Sequence, residues 1–264
     1  MTDSDHIVTG DGCRIAYRFD GPEDAPILLL SNSLGTHMGM WASQMAEFSR
    51  YFRILRYDSR GHGKSDAPAG AYSIDRLGRD VVELLDALAI GQVTFCGLSK
   101  GGMVGQWLGY RAPERIVRLI LCNTSAFMGP PSAWDARIRT VTEQGMTSLT
   151  EAVLARWFTP EFLARAPESV GIIREMLHAT SPNGYAGCCA AIRDMDLRAT
   201  SSLVRAPTTV IAGTRDPATP LDQAETIARA IRGATLVTID AAHLSNVEQP
   251  AIFADLVLKA ALSS

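Results

Sequence analysis

The sequence predicts an α/β fold in which a mostly parallel sheet is covered by helices. Short apolar runs such as Ile27–Ser31 and Val93–Cys96 alternate with amphipathic segments of helical period. This alternation is typical of parallel sheets that are buried on both faces. The 264 residues are 47% hydrophobic and 20% charged, which supplies enough apolar surface for a large core. We therefore expect one layered α/β domain that carries an insertion.

The predicted elements follow one another along the chain, with continuous apolar runs as strands and residues of 3.6 period as helices. The predicted strands are Arg14–Tyr17, Ile27–Ser31, Arg53–Tyr57, Val93–Cys96, Leu119–Cys122, Thr208–Ala212 and Thr235–Ile239. The predicted helices are Trp41–Ser49, Ser73–Leu88, Met103–Arg111, Leu221–Ile231 and Ala251–Leu262.

One stretch, residues 126–205, interrupts this order. It has several helical segments, no convincing strand, and many Trp, Phe, Met and Arg residues. We interpret it as a helical cap inserted into a core made of residues 1–125 and 206–264. Such a cap would lie over the carboxyl ends of the strands, where open α/β sheets bind ligands.

Charge and composition exclude several classes of protein. The net charge of −3 comes without a clustered basic surface, so nucleic acid is not an expected partner. Because no apolar run approaches the length of a membrane span and the first residues lack a signal core, we expect a cytoplasmic protein with no membrane partner. Five cysteines without CxxC spacing favour free thiols in a reducing compartment. No cluster of His, Cys, Asp and Glu has metal-ligand spacing, so no metal is predicted.

The motif Gly97-Leu98-Ser99-Lys100-Gly101 is the strongest indication of chemistry. GxSxG occurs often by chance, but here it follows an apolar strand and opens a helical pattern, which is the context of a nucleophile elbow. Ser99 would project from the tip of the strand, and the glycines would allow the backbone segments to approach closely. We therefore predict that Ser99 is a catalytic nucleophile.

A serine nucleophile needs a base, and the base needs a carboxylate to orient it. Asp216 and His243 each lie just beyond the end of a predicted strand, downstream of Ser99 and in the order that this type of fold uses. We predict that His243 takes the Ser99 proton and that Asp216 orients the imidazole. Asp240 is a rival carboxylate, but it precedes His243 by only three residues.

The tetrahedral oxyanion needs two donors. We predict the backbone N–H of Lys100 as one donor and the N–H of Leu34, in the loop after Ile27–Ser31, as the other. The side chains of Asn32 and Ser33 either hold this loop or are ordinary turn residues. The Gly-rich segment Asp58–Ser65 lacks the spacing of a phosphate loop. We interpret it as a structural turn that braces the site, and a catalytic role of Arg60 or His62 is the less favoured alternative.

Five motifs in their order resemble those of the α/β-hydrolases: Asn32–Thr36, Asp58–Gly63, Gly97–Gly102, Gly213–Asp216 and His243–Glu248. Over nearly the whole chain, further segments resemble the 3-oxoadipate enol-lactonases of aromatic-compound breakdown. These are Leu121–Thr124, Trp134 with Arg137–Ile138, Arg156–Pro160, Thr180–Gly187, Ala191–Asp194 and Ala242–Asn246.

The resemblance implies an α/β-hydrolase fold and the hydrolysis of 3-oxoadipate enol-lactone to 3-oxoadipate in the β-ketoadipate pathway, without a cofactor. The substrate is a small lactone that bears a carboxylate, so a cation in the pocket is expected. The cap offers Arg137, Arg156 and Arg193. We favour Arg137 because Trp134 lies one helical turn away and could share its face.

Lys100 departs from the family, which usually has an apolar residue after the nucleophile. A cation at the start of a helix is unfavourable, so something should compensate for it. One hypothesis is that Lys100 faces the pocket and binds the substrate carboxylate. The other is that it pairs with a nearby carboxylate or extends to solvent.

Other functions remain open at this stage. The same residues are compatible with a carboxylesterase, a carbon–carbon bond hydrolase or a cofactor-free perhydrolase. A ligand receptor built on a hydrolase scaffold is a further alternative, because a fold does not determine a function.

Overall fold

A computed structural model describes residues 4–263 and contains an eight-stranded sheet flanked by helices. The strands are β1 (Asp5–Val8), β2 (Arg14–Asp20), β3 (Ile27–Ser31), β4 (Arg53–Tyr57), β5 (Val93–Leu98), β6 (Ile116–Cys122), β7 (Thr208–Gly213) and β8 (Thr235–Ile239). Their order across the sheet is β1-β2-β4-β3-β5-β6-β7-β8.

The strands from β4 to β8 in this order are parallel, whereas β1 and β2 form an antiparallel edge. Parallel strands end at the same edge of the sheet, so the loops after β3, β5, β7 and β8 converge there. Leu28, Leu29 and Leu30 of β3 are fully buried, as a central strand covered on both faces requires.

Helices connect the strands. They are α1 (Met45–Phe48), α2 (Ile74–Ala87), α3 (Lys100–Arg111), α4 (Pro131–Gln144), α5 (Thr147–Trp157), α6 (Pro160–Arg165), α7 (Pro167–Ala179), α8 (Pro182–Asp194), α9 (Leu221–Ala230), α10 (Ser245–Glu248) and α11 (Pro250–Leu262). Three short 3-10 helices cover Met38–Gln44, Pro113–Arg115 and Ser201–Leu203. None of the helices within residues 4–263 is long and apolar enough to cross a membrane.

The structure extends or corrects three sequence-based elements. The edge strand β1 was not predicted, because only Ile7 of its four residues is buried. The helix predicted from Met103 begins at Lys100, directly after the elbow serine. The helix predicted over Trp41–Ser49 is mostly a 3-10 turn, capped by the His37 side chain, followed by the short α1.

The helical insertion, residues 126–205, carries α4 to α8 between β6 and β7. Contacts on three sides tie it to the core. Thr180 donates its hydroxyl to the Gly35 carbonyl at 3.2 Å. The Leu244 N–H donates to the Trp157 carbonyl at 3.0 Å. On the third side the backbone of α8 packs so closely on the Asp58–Ser65 turn that a Cβ at Gly61 would lie 2.4 Å from a backbone atom.

Candidate active site

Ser99 lies in the sharp turn between β5 and α3. Its φ of 58° and ψ of −116° are strained for a residue with a side chain. The turn is possible because a Cβ at Gly97 would meet the Gly101 carbonyl oxygen at 2.2 Å, and one at Gly101 would meet that of Ser31 at 2.1 Å. Strain of this kind is the signature of a nucleophile elbow, which lifts the hydroxyl away from the strand.

Asp216 and His243 lie together beyond β7 and β8. The Nδ1 of His243 is 2.8 Å from the Oδ2 of Asp216, and both side chains are buried. An Nδ1–H that donates to Asp216 leaves the Nε2 lone pair free to accept a proton. His243 and Ser99, the predicted base and nucleophile, line the same cavity.

The Asp216 carboxylate receives hydrogen bonds from several other groups. Oδ1 accepts the N–H groups of Ala218 at 2.7 Å and Thr219 at 3.0 Å, and Oδ2 accepts the Thr219 hydroxyl at 2.7 Å and the Asn123 amide at 3.0 Å. Burial alone would raise the pKa of Asp216, but the interaction with His243 and the bonds from Asn123 and Thr219 hold it below its ordinary value. The carboxylate is therefore charged when it faces the imidazole.

The loop after β3 is held from several sides. Asn32 donates to the Tyr57 carbonyl at 2.7 Å and accepts the indole N–H of Trp41 at 2.7 Å. Gly35 has a φ of 78°, and a Cβ there would lie 2.7 Å from a Leu177 methyl group. Of the two loop side chains that the sequence left open, Asn32 fixes the loop, whereas the buried Ser33 hydroxyl has no partner within residues 4–263.

A cavity of about 270 Å³ joins the strand-end loops to the helical insertion. Its lining is Ser33, Leu34, Ser99, Met103, Phe127, Met128, Gly129, Ala133, Trp134, Arg137, Val153, Arg156, Trp157, Ile192, Ala218, Thr219, Pro220, Gln223 and His243. The predicted residues Leu34, Trp134 and Arg137 are therefore in one pocket with Ser99 and His243.

Two arginines supply the positive charge of this cavity. The Arg137 guanidinium lies 5.1 Å from the Trp134 ring centre and 3.5 Å from the Tyr185 hydroxyl. Burial, with the charge of Arg137, lowers the pKa of Arg156. Neither arginine forms an ion pair with a carboxylate in the part of the chain that the structure describes. An anion in the cavity would thus meet two cations that form no salt bridge among the described residues, although the charge of Asp216 acts on Arg156.

The hypothesis that Lys100 binds substrate is wrong in this structure. Its side chain is 1% exposed and does not line the cavity, although its backbone N–H begins α3 next to Ser99. Nζ is buried and has no hydrogen-bond partner among the described residues. Burial lowers the pKa of Lys100, opposed by the charges of Cys188, Asp80 and Asp58. The side chain has turned into the interior, toward the charges beneath the elbow.

Comparison with known proteins agrees with this geometry. The sequence profile of the alpha/beta hydrolase fold matches residues 26–250. The chain belongs to this family. It is 43% identical over 246 residues to 3-oxoadipate enol-lactonase 2 of Acinetobacter baylyi, a match that covers 93% of this chain and 92% of that relative.

Two solved hydrolase structures closely match the fold of this chain. A hydrolase from Pseudomonas aeruginosa has a TM-score of 0.96 and 49% identity, with 99% of this chain and 98% of that one covered. The enol-lactonase from Burkholderia xenovorans has a TM-score of 0.95 and 43% identity, with 97% and 98% covered. This α/β hydrolase is therefore an enzyme, a hydrolase of ester bonds.

Sequence reasoning missed two polar residues of the hydrolase site. Asn123 and Thr219 both hold the Asp216 carboxylate, and Asn123 also accepts the Ser245 hydroxyl at 2.6 Å. Asn123 has a φ of 43°, a conformation that asparagine tolerates better than most residues. An asparagine at the end of β6 was the available signal, whereas nothing about Thr219 set it apart from a turn residue. Within residues 4–263 no group of three or more His, Cys, Asp or Glu could hold a metal ion.

Proposed function

We propose that this α/β hydrolase opens 3-oxoadipate enol-lactone to 3-oxoadipate, in the β-ketoadipate pathway of aromatic-compound catabolism. The single observation that carries the proposal is a cavity that combines Ser99 and His243 with two arginines, neither of which forms an ion pair within residues 4–263. The enol-lactonase relatives support the same substrate. The chemistry needs no cofactor, because serine, imidazole and backbone donors supply every step.

Acylation begins when the carboxylate of the lactone binds near Arg137. His243 takes the Ser99 proton through Nε2 as the Ser99 oxygen bonds to the lactone carbonyl carbon. The N–H groups of Leu34 and Lys100 donate to the oxyanion of the tetrahedral intermediate. Asp216, already ionised, stabilises the imidazolium that forms.

Ring opening then breaks the bond between the carbonyl carbon and the ring oxygen. His243 returns its proton to that oxygen, which leaves as an enol and becomes a ketone. The leaving group stays attached to the acyl chain because it was part of the same ring. Water, deprotonated by His243, adds to the Ser99 ester, and release of Ser99 yields the second carboxylate of the product.

The two arginines suit the change of charge in this reaction. The lactone carries one carboxylate, and the product carries two. Arg137, stacked on Trp134, is placed to bind the carboxylate of the substrate, and Arg156 adds charge to the same cavity. Residues 126–205, which supply both arginines, thereby act as a cap on the core made of residues 1–125 and 206–264.

Loss of the enol-lactone absorbance tests the substrate, with the lactone generated in situ. Purified protein is expected to consume the lactone, and Ser99→Ala is expected to remove that turnover. A chromogenic ester serves as the second substrate. Hydrolysis of the ester without turnover of the lactone would overturn the substrate assignment and leave a serine esterase.

A further inference from the structure

His62 makes a contact to the oxyanion loop that the reaction described above does not use. Its Nε2 lies 2.8 Å from the Gly35 backbone nitrogen, whose N–H donates to it, and its Nδ1 lies 3.1 Å from the Arg60 carbonyl oxygen. The ring is 1% exposed and does not line the cavity. It can therefore act on the reaction only through the backbone that it binds.

The two contacts assign one tautomer to the ring. A carbonyl oxygen can only accept, so Nδ1 carries the proton and donates it to Arg60. A backbone N–H can only donate, so Nε2 carries the lone pair that accepts from Gly35. A protonated imidazole would place a second N–H against that of Gly35 and break the contact.

The surroundings keep the imidazole neutral. Burial lowers the pKa of His62 well below its ordinary value, and the positive charges of Lys100 and His37 also lower it. The hydrogen bond to the Arg60 carbonyl raises this pKa, but its effect is smaller. Lys100 is the residue directly after the nucleophile. The buried ammonium of Lys100 therefore helps to keep neutral the ring that contacts the Leu34 loop.

Gly35 directly follows Leu34, so the Leu34–Gly35 peptide adjoins the peptide that carries the Leu34 N–H. Its N–H is held by His62 and its carbonyl oxygen by the Thr180 hydroxyl at 3.2 Å. We propose that His62 is a positioning residue, which as a neutral acceptor fixes the peptide after Leu34 and so aims the oxyanion donor. This inference rests on the proposed serine hydrolase mechanism, but it holds for any acyl substrate.

Two conservative variants separate the two contacts of the ring. In His62→Gln the side-chain oxygen reaches the position of Nε2 and can still accept from Gly35. In His62→Asn the amide reaches only the position of Nδ1, so it can donate to Arg60 but leaves Gly35 without an acceptor. If His62 had only a structural role, the two variants would lose activity to the same extent, or neither would lose it.

The expected result is a loss in kcat that only the Asn variant shows. With p-nitrophenyl acetate and with the lactone, His62→Asn should lower kcat by about 10–100-fold, because a misplaced donor weakens transition-state stabilisation. His62→Gln should stay within about threefold. Affinity for a trifluoromethyl ketone, whose adduct carries an oxyanion, should fall with kcat, while affinity for the product 3-oxoadipate stays unchanged.

Equal losses in the two variants, or an Asn variant with full kcat, would overturn the positioning role. If neither variant folds, histidine-labelled wild-type protein decides by nitrogen NMR, where His62 must be protonated at Nδ1 alone at neutral pH. The opposite tautomer overturns the proposal. A Ser99→Ala variant that still hydrolysed the ester would instead overturn the proposed function.

Discussion

At the scale of single residues, the charged side chains in and beneath the site differ in how well neighbouring groups stabilise their charge. Asp216 is surrounded by donors that stabilise its carboxylate, whereas the ammonium of Lys100 is buried with no hydrogen bond among the described residues. Arg137 and Arg156 line the cavity and form no ion pair in the described part of the chain. The donors around Asp216 stabilise the folded state, and the burial of Lys100 destabilises it. The two arginines are available to a ligand.

The role of Asp216 is tested by Asp216→Asn. An amide can donate to His243 and hold the imidazole in the wrong tautomer, so kcat should fall by about 10⁴-fold. Asp240→Asn is the matched control, because Asp240 is exposed and lies only three residues before His243. Steady-state kinetics on the lactone should show the loss in the first variant alone. The reverse pattern would assign the orienting carboxylate to Asp240.

The cost of burying Lys100 is tested by Lys100→Met. Methionine fills a similar volume without a charge, so we expect the free energy of unfolding to rise by about 1–3 kcal/mol. Each kcal/mol corresponds to roughly 2–4 °C in Tm for a chain of this size. A Tm below that of the wild type would show that the ammonium has a stabilising partner, and a large rise in KM for the lactone would restore its substrate-binding role.

The stability that Lys100→Met gains depends on pH, because the pKa of Lys100 is lowered in the folded state. Between the pKa of the folded state and that of the unfolded state, the unfolded chain binds the extra proton, so wild-type stability rises with pH in that window. The penalty is complete below the folded-state pKa and disappears above the unfolded-state value. The advantage of Lys100→Met in Tm should therefore shrink at high pH.

Recognition of the carboxylate is tested by Arg137→Gln. Removing the charge should raise KM for the anionic lactone by about 10-fold or more, since a charge-assisted hydrogen bond contributes roughly 1.5–3 kcal/mol. Turnover of neutral p-nitrophenyl acetate should change little. Arg139→Gln on the same helix is the control, because Arg139 is exposed and does not line the cavity. Equal KM values for the lactone in both variants would remove Arg137 from the binding site.

At the scale of elements, the helical insertion is anchored to the loop that carries His243. The buried Glu248 of α10 accepts the Ala242 N–H at 3.0 Å, the Thr159 N–H at 3.4 Å, and the Thr159 hydroxyl. Ala242 precedes His243, and Thr159 caps the N-terminus of α6. One carboxylate therefore joins the start of α6 to the backbone just before His243, next to the contact between Leu244 and Trp157.

This anchor is tested by Glu248→Gln. The NH2 group that replaces one carboxylate oxygen donates and cannot accept, so at least one of the three donors loses its partner inside the protein, at a cost of about 1–3 kcal/mol. We expect a lower Tm and a several-fold lower kcat, because the loop before His243 loosens. Glu143→Gln, at an exposed site on α4, should change neither. Full Tm and kcat in Glu248→Gln would mean that the anchor has no role in the site.

At the scale of the whole molecule, the parallel sheet and the order of its elements could be predicted from the sequence. A strand buried on both faces is a continuous apolar run, as β3 is, and β3, β4 and β8 all have the predicted bounds. The predicted strand ends also place Ser99, Asp216 and His243 at one edge of the sheet. Edge strand β1 was missed because a half-exposed strand lacks such a run.

Contacts between segments far apart in the chain could not be predicted. The side chain of Lys100 turns inward, the His62 ring accepts from Gly35, and Glu248 binds Thr159, but no spacing in the sequence encodes these pairs. Each depends on how the insertion and the turn after β4 pack against the strand-end loops. The sequence marks such residues only as departures from a pattern, as the lysine after the nucleophile does.

The central claim is that Ser99 opens the lactone by forming an ester with it. Rapid acid quenching followed by intact mass spectrometry tests this most directly. Ring opening loses no atoms, so the wild-type chain should gain the mass of one whole lactone on the peptide that contains Ser99, and Ser99→Ala should show neither adduct nor turnover. Continued turnover by Ser99→Ala, with no adduct on the wild type, would contradict the account.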